Sequence, residues 1–248
     1  MGEHTIREIL KRRSDDTQRV IRQRRDRATK KAHRPVKSYW GVSVLLLVIL
    51  TVLVAILYIG WQARMVDNRF LSNRAEIAVG KNGLYLSLQS TTQFLPNTLL
   101  AAIDPNFYNN GIFTVSPITA HLVQLYYQKD SHYSAIIKVM ALQFSFSRTD
   151  ILETYINDVE FGLYSGRPIR GFASASQEYF RKPFAQLQPQ DMALLIALAT
   201  SQDKIDPRAD PKRAMELRNT VLQMDAQQDV LSQSQVDTFK KTPLDVAP

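Results

Sequence analysis

Residues 189–200 read PQDMALLIALAT, and this stretch decides the fold class. Proline is favoured at the first position of a helix because it has no N–H group to leave unpaired there. Asp191 follows in the first turn, where a carboxylate stabilises the helix N-terminus. The remaining residues would be apolar on nearly every side of a helix, and such a helix is normally buried. We therefore expect residues 189–200 to form the central helix of a core.

The neighbouring stretches carry further helix signals. Ser147 is followed three residues later by Asp150, which resembles a capping box. Asp210 and Pro211 are typical of an N-cap and a first helical residue. A weaker pattern covers residues 230–241. An apolar helical face follows each of the two stronger starts. After Ser147 it consists of Ile151, Leu152, Tyr155 and Ile156, and after Asp210 it consists of Ala214, Leu217, Val221 and Leu222. The sequence therefore predicts a mainly α domain.

The segment before these helices has weaker signals. Residues 66–74 are typical of a linker, and the short apolar stretch 78–88 is interrupted by Gly80 and Gly83. Glycines at such short spacing within an apolar stretch favour a strand or a turn. We expect residues 62–84 to be a linker or membrane-proximal segment.

A long uncharged stretch lies further towards the N-terminus. Residues 42–60 read VSVLLLVILTVLVAILYIG, with aromatic residues at both ends. A hydrocarbon core of about 30 Å needs roughly 20 apolar residues in a helix, and aromatic side chains favour its two interfaces. A buried helix of a soluble core seldom lacks a polar face for so long, and 38 preceding residues are too many for a signal peptide. We predict one transmembrane helix over residues 39–61.

The excess positive charge lies entirely before this helix. The 248 residues carry 31 Lys/Arg and 23 Asp/Glu, a net charge of +8, and residues 1–38 alone carry 13 Lys/Arg and 5 Asp/Glu. Few basic residues follow the span directly, Arg64 among them. This charge bias predicts a cytoplasmic tail over residues 1–38 and a C-terminal domain on the opposite side of the membrane. The tail either forms amphipathic helices on anionic lipid or only fixes the topology.

Several classes of chemistry are disfavoured. The chain has no cysteine, which excludes disulfides, a thiol nucleophile and a thiolate metal site. It has four histidines and no glycine-rich phosphate loop, so we expect no metal site, no cofactor and no nucleotide chemistry. A nucleic acid partner is also not expected, because the basic excess lies in the tail rather than on the domain.

The order of segments resembles a known family. In chain order they are FLPNTLLAAIDPNFYNNG (94–111), SPITAHLV (116–123), RTDILETYINDVEFG (148–162) and the long run 170–224. The last run is the most specific, with EYF-x-K, PQDMALLIAL and RNTVLQM in the family's order. Residues 85–245 are in this way similar to the family 51 glycosyltransferases, the peptidoglycan transglycosylase domain of class A penicillin-binding proteins and their monofunctional relatives.

The resemblance implies a fold, a substrate and a location. It implies a lysozyme-like, mainly α transglycosylase domain over residues 85–248, behind a single N-terminal transmembrane helix, in the periplasm at the bacterial inner membrane. Family members bind lipid II and a growing glycan strand in a groove. Their chemistry needs two carboxylates, one to deprotonate the attacking hydroxyl and one to assist the departing pyrophosphate. A divalent cation is implied only for an active enzyme.

The catalytic motifs depart from the family pattern. The family's Glu-Asp pair is replaced by Ile103 and Asp104, and isoleucine cannot accept a proton. The carboxylates of the third motif fall on Ile137 and Ser145. A missing general acid or base typically costs about 10²- to 10⁴-fold in rate. We therefore predict that the catalytic groups are lost at Ile103 and Ser145, with Asp104 as the surviving candidate.

Five residues are candidates for substrate binding, and all but Lys138 have an alternative role: Asp104, Ser116, Thr119, Lys138 and Arg170. Asp104 either replaces the missing base or caps a helix beginning at Pro105. Ser116 and Thr119 either contact a sugar or phosphate or cap a helix. Arg170 either holds a phosphate or pairs with a carboxylate. Glu153 and Asn157, by contrast, are expected to be structural.

The helix caps and apolar faces are intact, so the sequence still specifies a fold. The leading hypothesis is a catalytically inactive homologue, a pseudoenzyme that acts as a lipid II- or glycan-binding factor or as a protein scaffold in peptidoglycan biogenesis. Its expected partners are the membrane, lipid II or glycan strands, and envelope-synthesis or divisome proteins. The alternatives are a divergent active glycosyltransferase that polymerises lipid II, and an unrelated membrane-anchored helical domain.

Overall fold

The structure is a computed structural model that describes residues 12–13, 16–27, 40–80, 84–111, 113–127, 132–164, 167–201 and 205–247. The chain divides into two compact units, Met1–Ala55 and Ile56–Pro248. In the first unit, residues 16–27 are helical, and the first part of α1 follows. The whole of α1 covers Trp40–Gly80.

The second unit is mainly helical, as predicted. After α1 its elements are α2 (Phe94–Ile103), α3 (Pro117–Tyr126), α4 (His132–Ser145), α5 (Arg148–Asp158), β1 (Glu160–Tyr164), β2 (Arg167–Arg170), α6 (Phe172–Phe180), a 3₁₀ turn (Phe184–Gln186), α7 (Pro189–Thr200), α8 (Pro211–Gln227) and α9 (Gln233–Lys241).

The predicted central helix is confirmed as α7. It contacts α2, α6, α8, α9 and β1, and every residue from Asp191 to Ala199 is buried. Its N-terminus is a capping box between Gln188 and Asp191, which satisfies two otherwise unpaired N–H groups. The apolar pattern of residues 189–200 therefore predicted its position correctly.

The flanking helices also begin where their caps predicted. The Ser147 side chain accepts a hydrogen bond from the Asp150 N–H at the start of α5. The Asp210 carboxylate accepts one from the Arg213 N–H at the start of α8. Ser232 caps α9 in the same way, so the weakest predicted helix is present as well.

The long apolar helix is present and fits the predicted membrane span, which stays a prediction, and the helix continues where a linker or membrane-proximal segment was expected. Among the described residues, one helix is long and apolar enough to cross a membrane, Trp40–Ser72. Residues 62–80 continue the same helix, where a linker was expected. Val66 and Phe70 lie one helical turn apart and are 1% exposed, because they pack into the core of the second unit. Burial of Val66 and Phe70 explains why the helix continues beyond its apolar run, which ends at residue 60.

Two further segments differ in part from the prediction. Strand or turn structure was expected over 78–88, but residues 78–80 belong to α1 and 84–87 have no regular structure; a turn begins at Leu88, and residues 81–83 lie outside the described residues. The antiparallel pair β1–β2 was not predicted. Its first strand carries an irregularity between Glu160 and Gly162, where Gly162 adopts a φ of 125° that favours glycine. This irregularity obscures the alternation that would identify a strand.

Candidate functional site

Asp104 is the candidate carboxylate, and it lies at the C-terminal end of α2. One carboxylate oxygen accepts a hydrogen bond from the Ser116 hydroxyl at 2.6 Å, and the other accepts one from the Asn110 amide at 3.2 Å. Asp104 is 3% exposed. Turns rather than a helix follow it, so the expected role as the cap of a helix from Pro105 is wrong. Its side chain instead fixes the loop that leads to α3.

Ser116 is the N-cap of α3, which confirms its capping alternative. Its hydroxyl oxygen accepts a hydrogen bond from the Thr119 N–H at 3.2 Å while it donates to Asp104. Ser116 and Thr119 are both fully buried. Within the part of the chain that the structure describes, the Thr119 hydroxyl has no hydrogen-bond partner.

Two residues that the sequence analysis missed complete this site. The Gln143 side chain accepts from the Ser116 N–H at 3.2 Å and donates to the Thr114 carbonyl at 2.9 Å. The Arg148 guanidinium donates to Gln143 at 2.9 Å and to the Asn110 carbonyl at 3.0 Å. No sequence pattern marks either residue, because their partners are up to 38 positions away. We call this set the loop network: Asp104, Asn110, Ser116, Gln143 and Arg148.

Ile103 and Ser145 are the positions at which the sequence predicts that catalytic groups are lost. Ile103 precedes Asp104 and packs against the apolar core. Ser145 is exposed, and its hydroxyl donates to the Asp67 carboxylate on α1 at 3.2 Å. The loop network itself contains one carboxylate, that of Asp104.

Lys138 and Arg170 make their contacts elsewhere. Lys138 is 6% exposed, and its ammonium donates to the Ser134 hydroxyl at 3.0 Å and lies 4.5 Å from the ring centre of Tyr127. Arg170 is on β2, with its guanidinium 3.7 Å from Asp158 and 3.9 Å from Glu160. The structure therefore brings three of the five predicted residues together and places two apart.

The expected structural roles of Glu153 and Asn157 agree with their contacts. The Asn157 amide donates to the Leu86 carbonyl and accepts from the Leu86 N–H, both at 2.8 Å. Glu153 accepts from the Tyr85 hydroxyl and from the Leu88 N–H. Together they hold the segment after α1 against α5.

A buried carboxylate lies away from this region. Asp225 on α8 is fully buried, and one of its oxygens accepts a hydrogen bond from the Thr98 hydroxyl of α2 at 3.1 Å. Its other oxygen has no partner among the described residues. Burial raises the pKa of Asp225 to about 7, because the charged form is poorly solvated there.

No group of three or more potential metal ligands occurs among the described residues. Whether the protein binds a metal stays a prediction.

Residues 115–225 match the family model described as Transglycosylase. This part of the chain is therefore similar to a transglycosylase domain. The matched range begins next to Ser116 and runs to Asp225, so it covers α3 to most of α8. The family resemblance predicted from the sequence is thereby confirmed, whereas the loss of the catalytic groups stays a prediction.

Curated relatives give the same assignment. The chain is 28% identical over 194 residues to penicillin-binding protein 1B of Escherichia coli (strain K12), covering 68% of this chain and 23% of that protein. It is 32% identical over 107 residues to penicillin-binding protein 1B of Vibrio cholerae serotype O1, covering 43% and 14%. The chain thus spans about a quarter or less of the length of these relatives.

A solved structure is also similar to part of the chain. It is penicillin-binding protein 1A from Haemophilus influenzae, with a TM-score of 0.44 and 22% identity, covering 66% of this chain and 18% of that one.

Proposed function

We propose that the protein is a catalytically inactive transglycosylase homologue that acts as a protein scaffold in peptidoglycan biogenesis. It is anchored by α1 in the bacterial inner membrane, with the tail in the cytoplasm and the domain in the periplasm. The transglycosylase domain supports the cell-wall process, and the basic charge of residues 1–38 supports the orientation.

The hydrogen bonds and the burial of Asp104 support the proposed inactivity. Acid–base glycosyl transfer needs one group that takes a proton and a second that assists the leaving group. The loop network offers one carboxylate, and both of its oxygens already accept hydrogen bonds from Ser116 and Asn110. A sugar hydroxyl would have to reach the remaining lone pairs of a carboxylate that is 3% exposed. The neighbouring Ile103 supplies no replacement.

The burial of the other candidates favours a scaffold over a lipid II-binding protein. Asp104, Ser116, Thr119 and Lys138 are each at most 6% exposed and make internal contacts, Thr119 through its N–H. Arg170 is the exposed member of the predicted set, with 41% of its side chain accessible. A ligand would therefore meet one of the five predicted binding groups.

Binding of lipid II by the full-length protein in nanodiscs tests the choice between these roles. The variants to compare are Arg170→Ala and Arg213→Ala, the second being a matched control because Arg213 is similarly exposed and also pairs with a carboxylate, that of Glu216. The scaffold predicts no saturable binding by the wild type or by either variant. Saturable binding that Arg170→Ala weakens and Arg213→Ala leaves unchanged would contradict the scaffold and establish the lipid II-binding alternative.

A further inference from the structure

Residues 16–27 form a helix in the N-terminal tail, and every side chain of this helix is exposed. The helix carries five arginines, no lysine and two aspartates, a net charge of +3. We call residues 16–27 the arginine helix, and its arginines are Arg19, Arg22, Arg24, Arg25 and Arg27. None of the described residues up to residue 61 is buried, so burial of its own side chains does not stabilise this helix.

The spacing of the arginines disfavours the helix in isolation. Arg19, Arg22 and Arg25 follow one another at three-residue steps, and like charges at this spacing destabilise a helix. A helix of about 12 residues is also marginal in water unless it packs on another surface. An anionic surface would offset the repulsion and would supply that contact. The charge pattern therefore indicates an anionic partner.

Two exposed apolar residues lie among these charges. Val20 and Ile21 are 51% and 54% exposed. Arg24 and Arg27 follow Val20 by four and seven residues, so their side chains share its helical face. An arginine can lay its apolar stem along such a face and keep its guanidinium among polar groups. A face of this kind fits the boundary between lipid headgroups and acyl chains better than a wholly polar partner.

The chain also tethers the arginine helix close to the predicted membrane span. Twelve residues, 28–39, separate it from Trp40 at the start of α1. A connection of this length spans at most roughly 45 Å. Anionic lipids of the cytoplasmic leaflet attract basic segments next to a transmembrane helix. Guanidinium groups pair with phosphate through two parallel hydrogen bonds, so a phospholipid headgroup is a nearby partner of matching charge.

We propose that the arginine helix binds anionic phospholipid headgroups, such as phosphatidylglycerol, at the cytoplasmic surface of the membrane. The proposal rests on the membrane span and the cytoplasmic tail of the proposed function, and it adds a ligand for the tail. The protein would then contact the cytoplasmic leaflet through a helix that is separate from its span.

Spin labelling of the full-length protein tests this contact, because the chain has no cysteine and one introduced cysteine takes the label specifically. Val20→Cys reports the arginine helix, Leu50→Cys reports the span, and Thr238→Cys on the exposed part of α9 is the control. Each labelled protein is placed in nanodiscs of phosphatidylcholine with and without phosphatidylglycerol. Collisions of the label with oxygen, which concentrates in lipid, are compared with collisions with a water-soluble nickel chelate.

The proposal predicts that phosphatidylglycerol moves the V20C label from water to lipid, and that salt at about 0.5 M reverses this change by screening the charges. The T238C label should remain in water. Each arginine near an anionic surface contributes roughly fivefold to binding. The pair Arg24→Gln and Arg27→Gln should therefore lower the ratio of bound to free label by roughly twentyfold. The pair Lys212→Gln and Arg213→Gln, which removes two exposed charges from α8, should leave the ratio unchanged.

Three results would overturn the proposal. A V20C label that stays in water in both kinds of nanodisc, while L50C is in lipid, would exclude the headgroup contact and leave the span intact. A V20C label that phosphatidylglycerol leaves in water but an added RNA duplex immobilises would make nucleic acid the partner. An L50C label in water would overturn the span and the proposal together.

Discussion

At the scale of single residues, Asp225 is a carboxylate whose charged form is destabilised by burial. Its carboxylate is fully buried against α2, and one hydroxyl group, that of Thr98, donates to it. The raised pKa means that the native protein binds a proton more tightly than the unfolded chain does. Stability contributed by this residue is therefore present at low pH and is lost as the pH rises from about 4 to about 7.

We expect Asp225→Asn to stabilise the protein at pH 8 by about 1–3 kcal/mol, because the amide carries no charge to desolvate. Near pH 4 the difference from wild type should vanish. Thermal unfolding of the full-length protein in detergent at both pH values measures this. The exposed Asp237→Asn variant is the control. Equal stabilisation of D225N at both pH values would contradict the assigned cause.

Arg148 is the residue on which the loop network depends. It donates two hydrogen bonds, and its guanidinium lies 5.3 Å from the ring centre of Phe107. We expect Arg148→Ala to lower the free energy of unfolding by roughly 2 kcal/mol, since the carbonyl of Asn110 and the amide of Gln143 lose charged donors. Arg213→Ala, which removes an exposed ion pair with Glu216, should cost less than about 0.5 kcal/mol. Equal effects in chemical denaturation would show that the network does not stabilise the loop.

At the scale of elements, α1 packs on the domain beyond the end of its long apolar run. Gln62, Val66 and Phe70 recur every fourth residue and are buried, while Met65 and Leu71 are about half exposed. This spacing places the three buried residues on one helical face. Packing of this face on the domain explains why the polar residues after the apolar run do not end the helix.

Phe70→Ala should therefore destabilise the domain by roughly 3 kcal/mol, because it leaves a cavity beside Phe146 and the core. The neighbouring Leu71→Ala removes a side chain that is 52% exposed and should cost well under 1 kcal/mol. Hydrogen exchange of α4 and thermal unfolding both report this difference. If the two variants behave alike, α1 does not pack on the domain.

At the scale of the whole molecule, the sequence predicts the parts that depend on local signals. The central helix α7 follows from its uniform apolarity, and α5, α8 and α9 follow from their caps. The continuation of α1 beyond residue 62 was not predictable. Its buried face, with Val66 and Phe70, can be recognised only once the surface that it packs on is known.

The candidate site was predictable only in part, for a related reason. Asp104 and Ser116 lie in matched motifs, but Gln143 and Arg148 act on backbone groups distant in sequence. Residue types alone also do not show burial. Lys138 was expected to meet a ligand, and the structure has it under the ring of Tyr127.

The proposed protein keeps a transglycosylase-like domain without its catalysis. The decisive experiment is polymerisation of lipid II by the full-length protein in detergent, beside an active penicillin-binding protein under the same conditions. Loss of a general acid or base costs about 10²- to 10⁴-fold, so we expect no glycan polymer after times at which the control has consumed its substrate. Polymer formed at a rate similar to that of the control, and abolished by Asp104→Asn, would disprove the inactivity and make Asp104 a working base.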